Sequence, residues 1–300
     1  MNILISGSTG MIGSALIEVL KTQNHRITRL ARSPMQSSEP TVQWNPAAGT
    51  LNAKDIEGFD GVVHLAGESI AASRWTDAQK AKIRDSRVKG TTLLSETIAK
   101  LVKPPKVLVC ASAIGYYGNR GDTILREDSG PGTGFLADIC QEWESAADPA
   151  KKKGIRVVHL RIGVVMSPKG GALAKMLLPF KMGVGGIVGD GKQYWSWVSL
   201  DDVVGAIRHA LTNETLHGAV NAVAPRAVTN QEFTKTLGKV LSRPTIFPLP
   251  GFAARLVLGE MADDLLLSSA RIEPARLLAS GYKFHHPELE GALRDLLGRK

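Results

Sequence analysis

MNILISGSTGMIGSALIEVL, residues 1–20, joins an apolar run, a glycine-spaced turn and a second apolar run without a break. Residues 1–6 predict a short buried strand, and residues 15–20 predict a helix packed on it. A strand that passes through such a turn into a helix forms a site for a pyrophosphate, because the helix start offers unpaired N–H groups and positive dipole character. The stretch therefore predicts a dinucleotide-binding turn, with a tight turn that holds no ligand as the alternative.

Each glycine of this turn has its own role. Gly7 allows the sharp turn, Gly10 lets the backbone approach the phosphates without a Cβ in the way, and Gly13 lets the helix lie close to the strand. The residues that we expect around the cofactor at this turn are Gly7, Ser8, Thr9, Gly10, Met11, Ile12 and Gly13.

The composition is that of an ordinary globular enzyme-sized chain. Three hundred residues, 43% of them hydrophobic and 22% charged, suit one large domain or two smaller lobes and argue against disorder. No apolar run reaches the roughly 18 residues that a membrane-spanning helix needs, and the first apolar stretch is too short for a secretory signal. Cys110 and Cys140 lie in apolar surroundings, which predicts buried thiols in a reducing cytoplasm and no metal site.

The net charge of +9 raises the question of nucleic-acid binding. The basic residues are scattered rather than striped, apart from residues 151–153, which suit a solvated helix end. We therefore expect no nucleic-acid partner and no membrane partner. A modest positive field also suits an anionic cofactor and a small-molecule substrate, and the sequence leaves the oligomeric state open.

The first half of the chain alternates strands and helices. Strands are predicted at residues 1–6, 26–31, 61–65, 106–111 and 155–161, and helices at 11–21, 76–101 and 134–153. This alternation, with strands that are almost continuously apolar, predicts an α/β fold: a Rossmann-type, doubly wound parallel sheet with helices on both faces. Residues 200–211 predict a later helix, and residues 220–223 one more strand.

The character of the chain changes after Arg161. A glycine-rich segment at residues 183–191 leads into the aromatic run at 194–197, and residues 226–300 read as short helices punctuated by prolines. We expect an NADP-binding Rossmann domain at 1–165 plus 200–225, and a smaller, mainly helical C-terminal substrate lobe at 166–199 plus 226–300. The cleft between them is the expected ligand site.

The second predicted strand indicates which dinucleotide is bound. An NAD site carries an acidic residue at the end of this strand, where it binds the ribose hydroxyls. Residues 26–33 contain no acid and end in Arg32 and Ser33. A guanidinium can pair with a 2′-phosphate that an acid would repel, so the strand predicts NADP(H). The alternative is that Arg32 is a solvated charge at a strand end.

Several motifs resemble one known superfamily. The turn at residues 7–13 has the GxxGxxG spacing of the extended short-chain dehydrogenases/reductases, and His64-Leu65-Ala66-Gly67 is similar to their His-Leu-Ala-Ala/Gly segment. Arg87-Val88-Lys89-Gly90-Thr91 resembles their Asn-x-x-Gly-Thr motif, with Arg in place of Asn. Val42-Gln43-Trp44-Asn45-Pro46 and Tyr194-Trp195-Ser196-Trp197 resemble an atypical branch, the epimerase family proteins, also labelled nucleoside-diphosphate-sugar epimerases.

The resemblance covers essentially the whole chain and implies further cofactor contacts while leaving the substrate undefined. The residues that it places along NADP are Ala31, Arg32, Leu65, Ala66, Gly67, Glu68, Arg87, Ser112, Arg161, Gly163 and Val164.

The chain departs from the superfamily at the catalytic pair. Extended enzymes use a Tyr-x-x-x-Lys pair, in which the tyrosine moves a proton while hydride travels to or from the nicotinamide ring. Of the four tyrosines here, at positions 116, 117, 194 and 282, none has a lysine four residues later, and Phe135 or Leu136 falls at the expected position. Whether the chain is an enzyme is therefore uncertain from the sequence.

Other residues are candidates for the missing roles. Ser112 is a candidate polar group near the nicotinamide, with packing at a strand end as the alternative. Tyr117 is a candidate proton donor that suits a core position equally well, and Asp138 is a weaker candidate. Gln193 and Trp195 are candidate substrate contacts, with packing between the lobes as the alternative for the aromatic run.

These observations predict an NADP(H)-binding oxidoreductase or epimerase-like protein that acts on a carbonyl compound or a sugar nucleotide. The alternative is a non-catalytic NADP(H)-binding sensor that couples cofactor occupancy to a partner protein.

Overall fold

The computed structural model describes residues 1–34 and 36–299. Its strands are β1 (Asn2–Ser6), β2 (Arg26–Ala31), β3 (Thr41–Asn45), β4 (Thr50–Leu51), β5 (Gly61–His64), β6 (Val107–Ala113), β7 (Ile124–Leu125), β8 (Arg156–Ile162), β9 (Val164–Met166), β10 (Tyr194–Trp195), β11 (Trp197–Ser199), β12 (Gly218–Ala222), β13 (Val228–Thr229) and β14 (Arg271–Ile272). Its helices are α1 (Met11–Thr22), α2 (Asp77–Ala99), α3 (Phe135–Ser145), α4 (Asp148–Lys152), α5 (Gly171–Lys181), α6 (Leu200–Thr212), α7 (Asn230–Leu241), α8 (Gly251–Leu258), α9 (Ala275–Ala279) and α10 (Leu289–Leu296).

The described residues form two compact units. Unit 1 comprises Met1–Ser112, Ile139–Leu160 and Val204–Val220, and unit 2 comprises Ala113–Asp138, Arg161–Val203 and the described residues from Asn221 onward. Within the described part of the chain, no helix combines the length and the apolar character that crossing a membrane requires.

An eight-stranded sheet, most of which lies in unit 1, has the order β12-β8-β6-β5-β1-β2-β3-β4. β1 pairs in parallel with both β2 and β5, β2 with β3 and β5 with β6, whereas β4 returns antiparallel to β3. The chain builds outward from β1 in one direction and then from β5 in the other. The carboxyl ends of β1 and β5 therefore flank the point where the strand order reverses, which is where α/β sheets bind ligands.

The core of unit 1 forms because the central strands are apolar on both faces. Leu4, Leu30, Val62 and Leu108 are buried in one cluster with α2 side chains such as Ile98. The expected Rossmann-type α/β fold is confirmed. Several local details differ from expectation. The β3–β4 hairpin and α5 were not predicted, and the helix predicted at 134–153 is divided into α3 and α4, with Pro149 in the first turn of α4.

Unit 2 has its own core. Trp197, Phe233, Leu237 and Leu293 are buried in a cluster that joins the short strands to α7 and α10. A second, smaller cluster contains Tyr117, with Leu125, Val223 and Ile272.

Candidate functional site

The turn after β1 requires glycine at its first position. Gly7 has a φ of +67°, a conformation that residues with a Cβ rarely adopt. A Cβ at Gly7 would also lie 2.6 Å from the carbonyl carbon of Leu65, in the segment that follows β5. The turn thus packs closely against the end of β5. The carboxyl ends of β1 and β5 both lie where the order of the strands reverses.

The other two glycines differ in what surrounds them. A Cβ at Gly13 would lie 2.3 Å from the Gly7 carbonyl oxygen, so the first turn of α1 packs directly on the loop. For a Cβ at Gly10, the Gly7 oxygen, at 3.3 Å, is the one close contact that the described residues would make. The Gly10 face is therefore open, as the approach of a phosphate requires.

The start of α1 is equally suited to an anion. Gly10 is the residue that begins the helix, and no side chain of the described residues caps it. Its first turn carries no acidic residue. The N–H groups of this turn and the positive end of the helix dipole are thus left for a ligand, which is the arrangement found at phosphate sites.

A cavity of about 670 Å³ opens in unit 1 over this turn. It brings together ten of the residues predicted to bind the cofactor: Gly7, Ser8, Thr9, Gly10, Ala31, Arg32, Leu65, Ala66, Gly67 and Glu68. Sequence reasoning had assigned no site role to the remaining lining residues: Leu30, Ser33, Trp44, Asn45, Pro46, Ala47, Asp85, Ser86 and Lys89. Four of these come from the unpredicted hairpin, so the wall beyond β2 depends on that element.

Arg29 in β2 and Arg32, the residue after β2, differ in whether an acidic side chain neutralises their charge. Arg29 donates to the Glu39 carboxylate at 2.8 Å and to the Ser8 carbonyl at 3.2 Å, so its charge is neutralised beside the turn. Hydrogen bonds from Lys21, Ser38 and Arg29 lower the pKa of Glu39 to about 2. Within the described part of the chain no ion pair engages Arg32, which lines the cavity. Arg32 is therefore available to an anionic ligand.

Arg87 lies behind the loop that follows β5. Its Nη1 donates to the carbonyl of Glu68 at 2.9 Å and to the carbonyl of Ile83 at 3.0 Å, and its guanidinium lies 5.0 Å from the centre of the Trp143 ring. Burial lowers the pKa of Arg87. In this structure Arg87 thus ties the cavity wall at Glu68 to α2, which is a supporting role for the site.

His64, at the end of β5, anchors the same wall. Its Nδ1 lies 2.6 Å from Ser6 Oγ and its Nε2 lies 3.0 Å from Thr91 Oγ1, which also accepts from Trp143 Nε1. Ser6 Oγ in turn accepts from the N–H of Leu65. Complete burial lowers the pKa of His64 to about 4. The imidazole is thus neutral near pH 7 and joins β1, β5 and α2 through hydrogen bonds, as a structural residue.

We expect acid to destabilise the protein through His64. The unfolded chain takes up a proton below pH about 6.5, whereas the folded imidazole does so only near pH 4. The contribution of His64 to the free energy of unfolding is therefore fully present above its pKa in the unfolded chain. It decreases as the pH falls towards the pKa of the folded state, by about 2 kcal/mol between pH 7.5 and 5. Urea unfolding at both pH values measures this loss. The loss should shrink in His64→Gln; an equal loss in both proteins would rule out His64 as its source.

Several predicted site residues lie inside unit 2. Tyr117 is completely buried; its hydroxyl donates to Asn221 Oδ1 at 2.7 Å and accepts from Arg161 Nη1 at 3.0 Å. Arg161 lies 3.4 Å from the centre of the Tyr116 ring. Burial raises the pKa of Tyr117. These contacts support a core position for Tyr117 and argue against proton transfer by its hydroxyl. Arg161 is held in the same group of buried contacts.

Gly163 and Val164, also expected at the cofactor, are held by backbone contacts within unit 2. The Gly163 N–H donates to the Ala222 carbonyl, and a Cβ at Gly163 would lie 2.5 Å from the Ser196 carbonyl oxygen. Val164 pairs with Trp197. The glycine at 163 is thus explained by close packing against the segment before β11.

Gln193 and Trp195, the candidate substrate contacts, are also interior. Gln193 Nε2 donates to the carbonyls of Val188 and Leu266, at 2.9 and 3.0 Å. The Trp195 ring centre lies 5.2 Å from that of Phe233, and both residues are no more than 7% exposed. These contacts support packing, here within unit 2, over a role in substrate binding.

Substituting Tyr117 distinguishes a structural from a catalytic hydroxyl. In Tyr117→Phe, Asn221 and Arg161 each lose the hydrogen bond to the Tyr117 hydroxyl. This loss inside the protein should lower the free energy of unfolding by about 1–3 kcal/mol. NADPH affinity should stay within about twofold of wild type, a change of less than 0.5 kcal/mol. Chemical denaturation and calorimetric titration measure the two effects, and unchanged stability would contradict the structural role.

Ser112 is the predicted catalytic candidate that lies at the ligand-binding edge of the sheet. It is near the carboxyl end of β6 and is 3% exposed, and its Oγ donates to Glu144 Oε1 at 2.7 Å. The pair couples a hydroxyl to a carboxylate on α3. Sequence reasoning did not single out Glu144, and no local signal links residues 32 positions apart.

The chain is similar in sequence and in structure to known epimerase family proteins. Residues 3–223 match the NAD dependent epimerase/dehydratase family, and residues 249–296 match a domain of unknown function (DUF1731). The chain is 43% identical over 291 residues to epimerase family protein Mb2239 of Mycobacterium bovis, covering 97% of this chain and 96% of that protein. It is 36% identical over 300 residues to epimerase family protein SDR39U1 of Homo sapiens, covering 99% and 100%. The crystal structure of human SDR39U1 isoform 2 with NADPH superposes with a TM-score of 0.90 at 34% identity and covers both chains fully.

Proposed function

The chain belongs to the NAD dependent epimerase/dehydratase family, as an atypical extended short-chain dehydrogenase/reductase, and we propose that it binds NADP(H) in the unit 1 cavity and acts as an epimerase-like oxidoreductase. One observation carries this proposal: the cavity combines a glycine turn open at Gly10 with an arginine, Arg32, at the tip of β2. An NAD-type acid is missing from that strand. The human relative crystallised with NADPH supports the choice of cofactor.

We assign each part of the cofactor a position from the order of the strands. The diphosphate lies at the start of α1, against Gly10, where N–H groups are available. The adenosine half extends over β2, so that its 2′-phosphate meets Arg32. The nicotinamide half extends the other way, over β5 and β6, because a dinucleotide spans the point where the strand order reverses. Ser112 lies at the end of β6 on that side.

NADPH, when bound, would supply hydride to a carbonyl carbon, and the chain would then supply a proton to the carbonyl oxygen. In the reverse direction NADP⁺ would accept hydride and the chain would accept the proton. The usual Tyr-x-x-x-Lys pair is missing from the sequence, and Tyr117 is buried with two partners.

We propose that Ser112 contacts the reacting oxygen of the substrate. Because its one proton is donated to Glu144, Ser112 Oγ can accept from the hydroxyl of an alcohol or of a sugar nucleotide. As hydride leaves the substrate, Ser112 would take the proton of the substrate hydroxyl and pass its own to the Glu144 carboxylate. In the reduction of a carbonyl compound both protons would move back, so that the carbonyl oxygen receives one.

A second candidate function is a non-catalytic NADP(H)-binding sensor. The missing Tyr/Lys pair and the engaged Tyr117 hydroxyl favour it. Such a protein would bind NADPH tightly and associate with a partner protein only when the cofactor is present.

Calorimetric titration with NADPH, followed by NADPH oxidation against a panel of carbonyl compounds and sugar nucleotides, tests both proposals. We expect saturable NADPH binding and slow turnover that is lost in Ser112→Ala and Glu144→Gln while binding remains. Tight binding without turnover on any substrate would exclude the enzyme and leave the sensor. Absence of NADPH binding would exclude both.

A further inference from the structure

A cluster of two histidines and an aspartate lies in unit 2, far along the chain from the cofactor turn. His285 and His286 precede α10, and Asp295 lies near the end of that helix. Each offers one ligand atom, and the three atoms lie within 4.8 Å of one another. The side chains of His285 and Asp295 are exposed and that of His286 is buried, so the cluster is anchored on one side and open on the other.

The backbone of the histidine pair is fixed by a buried carboxylate. Asp202, 1% exposed, accepts from the N–H of His285 at 2.7 Å and from the N–H of His286 at 2.9 Å. It also accepts from the hydroxyls of Tyr282 and Ser199. Both histidines are thus held in place before any ligand arrives, which reduces the entropic cost of forming a site.

The two ring nitrogens of His286 face different carboxylates, and the one that faces away from Asp295 is unpaired among the described residues. Its side chain is 7% exposed, and no group of residues 1–34 and 36–299 forms a hydrogen bond with its buried Nδ1. Its Nε2 lies 3.0 Å from Asp295 Oδ2, whereas Nδ1 lies 3.9 Å from Asp202 Oδ2. A buried ring nitrogen normally has a partner, because leaving it unpaired costs about 1–3 kcal/mol.

We propose that His285, His286 and Asp295 bind a zinc ion. Two imidazoles and one carboxylate are a donor set that Zn²⁺ accepts, with the remaining position open to water on the exposed side. Ligation at Nε2 of His286 would place its Nδ1–H towards Asp202, and a carboxylate facing the second ring nitrogen is the usual outer partner of a zinc-bound histidine. The ion would clip α10 to the loop before it and so stabilise unit 2.

The ligand atoms need only small movements for this. Mutual distances up to 4.8 Å exceed those around a bound Zn²⁺, whose bonds to nitrogen and oxygen are about 2.0–2.2 Å. His285 and Asp295 are exposed and can rotate inward, while the buried His286 stays in place. Zinc would replace the present hydrogen bond between His286 and Asp295.

Zinc titration of the EDTA-treated, dialysed full-length protein tests the proposal. Isothermal titration calorimetry should show one bound Zn²⁺ per chain. Thermal unfolding should show a higher melting temperature when zinc is added. His285→Ala and Asp295→Asn should each weaken binding by at least about tenfold, since even outer-shell partners contribute that much. Both side chains are exposed, so these variants should fold. His217→Ala removes an exposed histidine outside the cluster and should bind as wild type.

A wild-type protein that binds no zinc would overturn the site. So would equal affinity in wild type, His285→Ala and Asp295→Asn, which would place any bound zinc elsewhere. Neither outcome depends on whether the protein binds NADPH.

Discussion

Gly13→Ala is expected to reduce NADPH binding by about 100-fold or more, a loss of about 2.7 kcal/mol, and to lower the free energy of unfolding. The added Cβ would lie 2.3 Å from the Gly7 carbonyl oxygen and 2.9 Å from the Ser8 Cα, so the turn has to move away from the helix start. Such overpacking costs about 1–3 kcal/mol. Calorimetric titration gives the affinity, and chemical denaturation gives the stability.

Gly10→Ala is the informative partner of this variant. Among the described residues its Cβ would meet the Gly7 oxygen at 3.3 Å, which has to shift by only a few tenths of an ångström. Gly10 also has extended backbone, so the fold should tolerate the change with a small loss of stability. The Cβ would instead occupy the space where the diphosphate approaches, and NADPH affinity should fall. Gly291→Ala in α10, whose Cβ would have no atom of the described residues outside its own helix within 4 Å, should change neither quantity. Wild-type NADPH affinity in Gly10→Ala would contradict a diphosphate at this turn.

Arg32→Ala is expected to remove the preference for NADPH over NADH. A charge-assisted hydrogen bond to the 2′-phosphate contributes about 1.5–3 kcal/mol, so NADPH affinity should fall by about 10- to 100-fold. NADH lacks that phosphate, and its affinity should stay unchanged. Titration of both cofactors into wild type and variant measures the difference.

Arg26→Ala is the matched control for Arg32→Ala. It removes an exposed arginine at the opposite end of the same strand. It should lower NADPH affinity only slightly, through the loss of one distant charge. Equal losses in Arg26→Ala and Arg32→Ala, or equal wild-type affinities for NADPH and NADH, would show that Arg32 does not read the 2′-phosphate.

The cofactor turn was predictable because its constraints are local. Glycine spacing and a following apolar helix fix the backbone geometry, and Gly7 and Gly13 have the close contacts expected of their positions. The charge at Arg32 was predictable for the same reason, since a strand end can be read from the sequence. The β3–β4 hairpin was missed because its strands are short and mixed in polarity, and Trp44 and Asn45 reach the cavity only through tertiary structure.

The interior polar residues were not predictable. Tyr117 and Gln193 have the chemistry of site residues, but each has a partner more than 70 positions away in the chain, Asn221 and Leu266 respectively. Burial of such groups depends on long-range packing, which spacing and composition do not reveal. The break between α3 and α4 had a readable signal, because Pro149 after Asp148 is typical of a helix start.

A crystal structure of the protein grown with saturating NADPH tests the cofactor site most directly. We expect the diphosphate against the turn at Gly7–Gly13, its oxygens accepting from N–H groups at the start of α1, and the 2′-phosphate within hydrogen-bond distance of Arg32. An empty turn in crystals at saturating NADPH, or a 2′-phosphate bound away from Arg32, would contradict the proposed site.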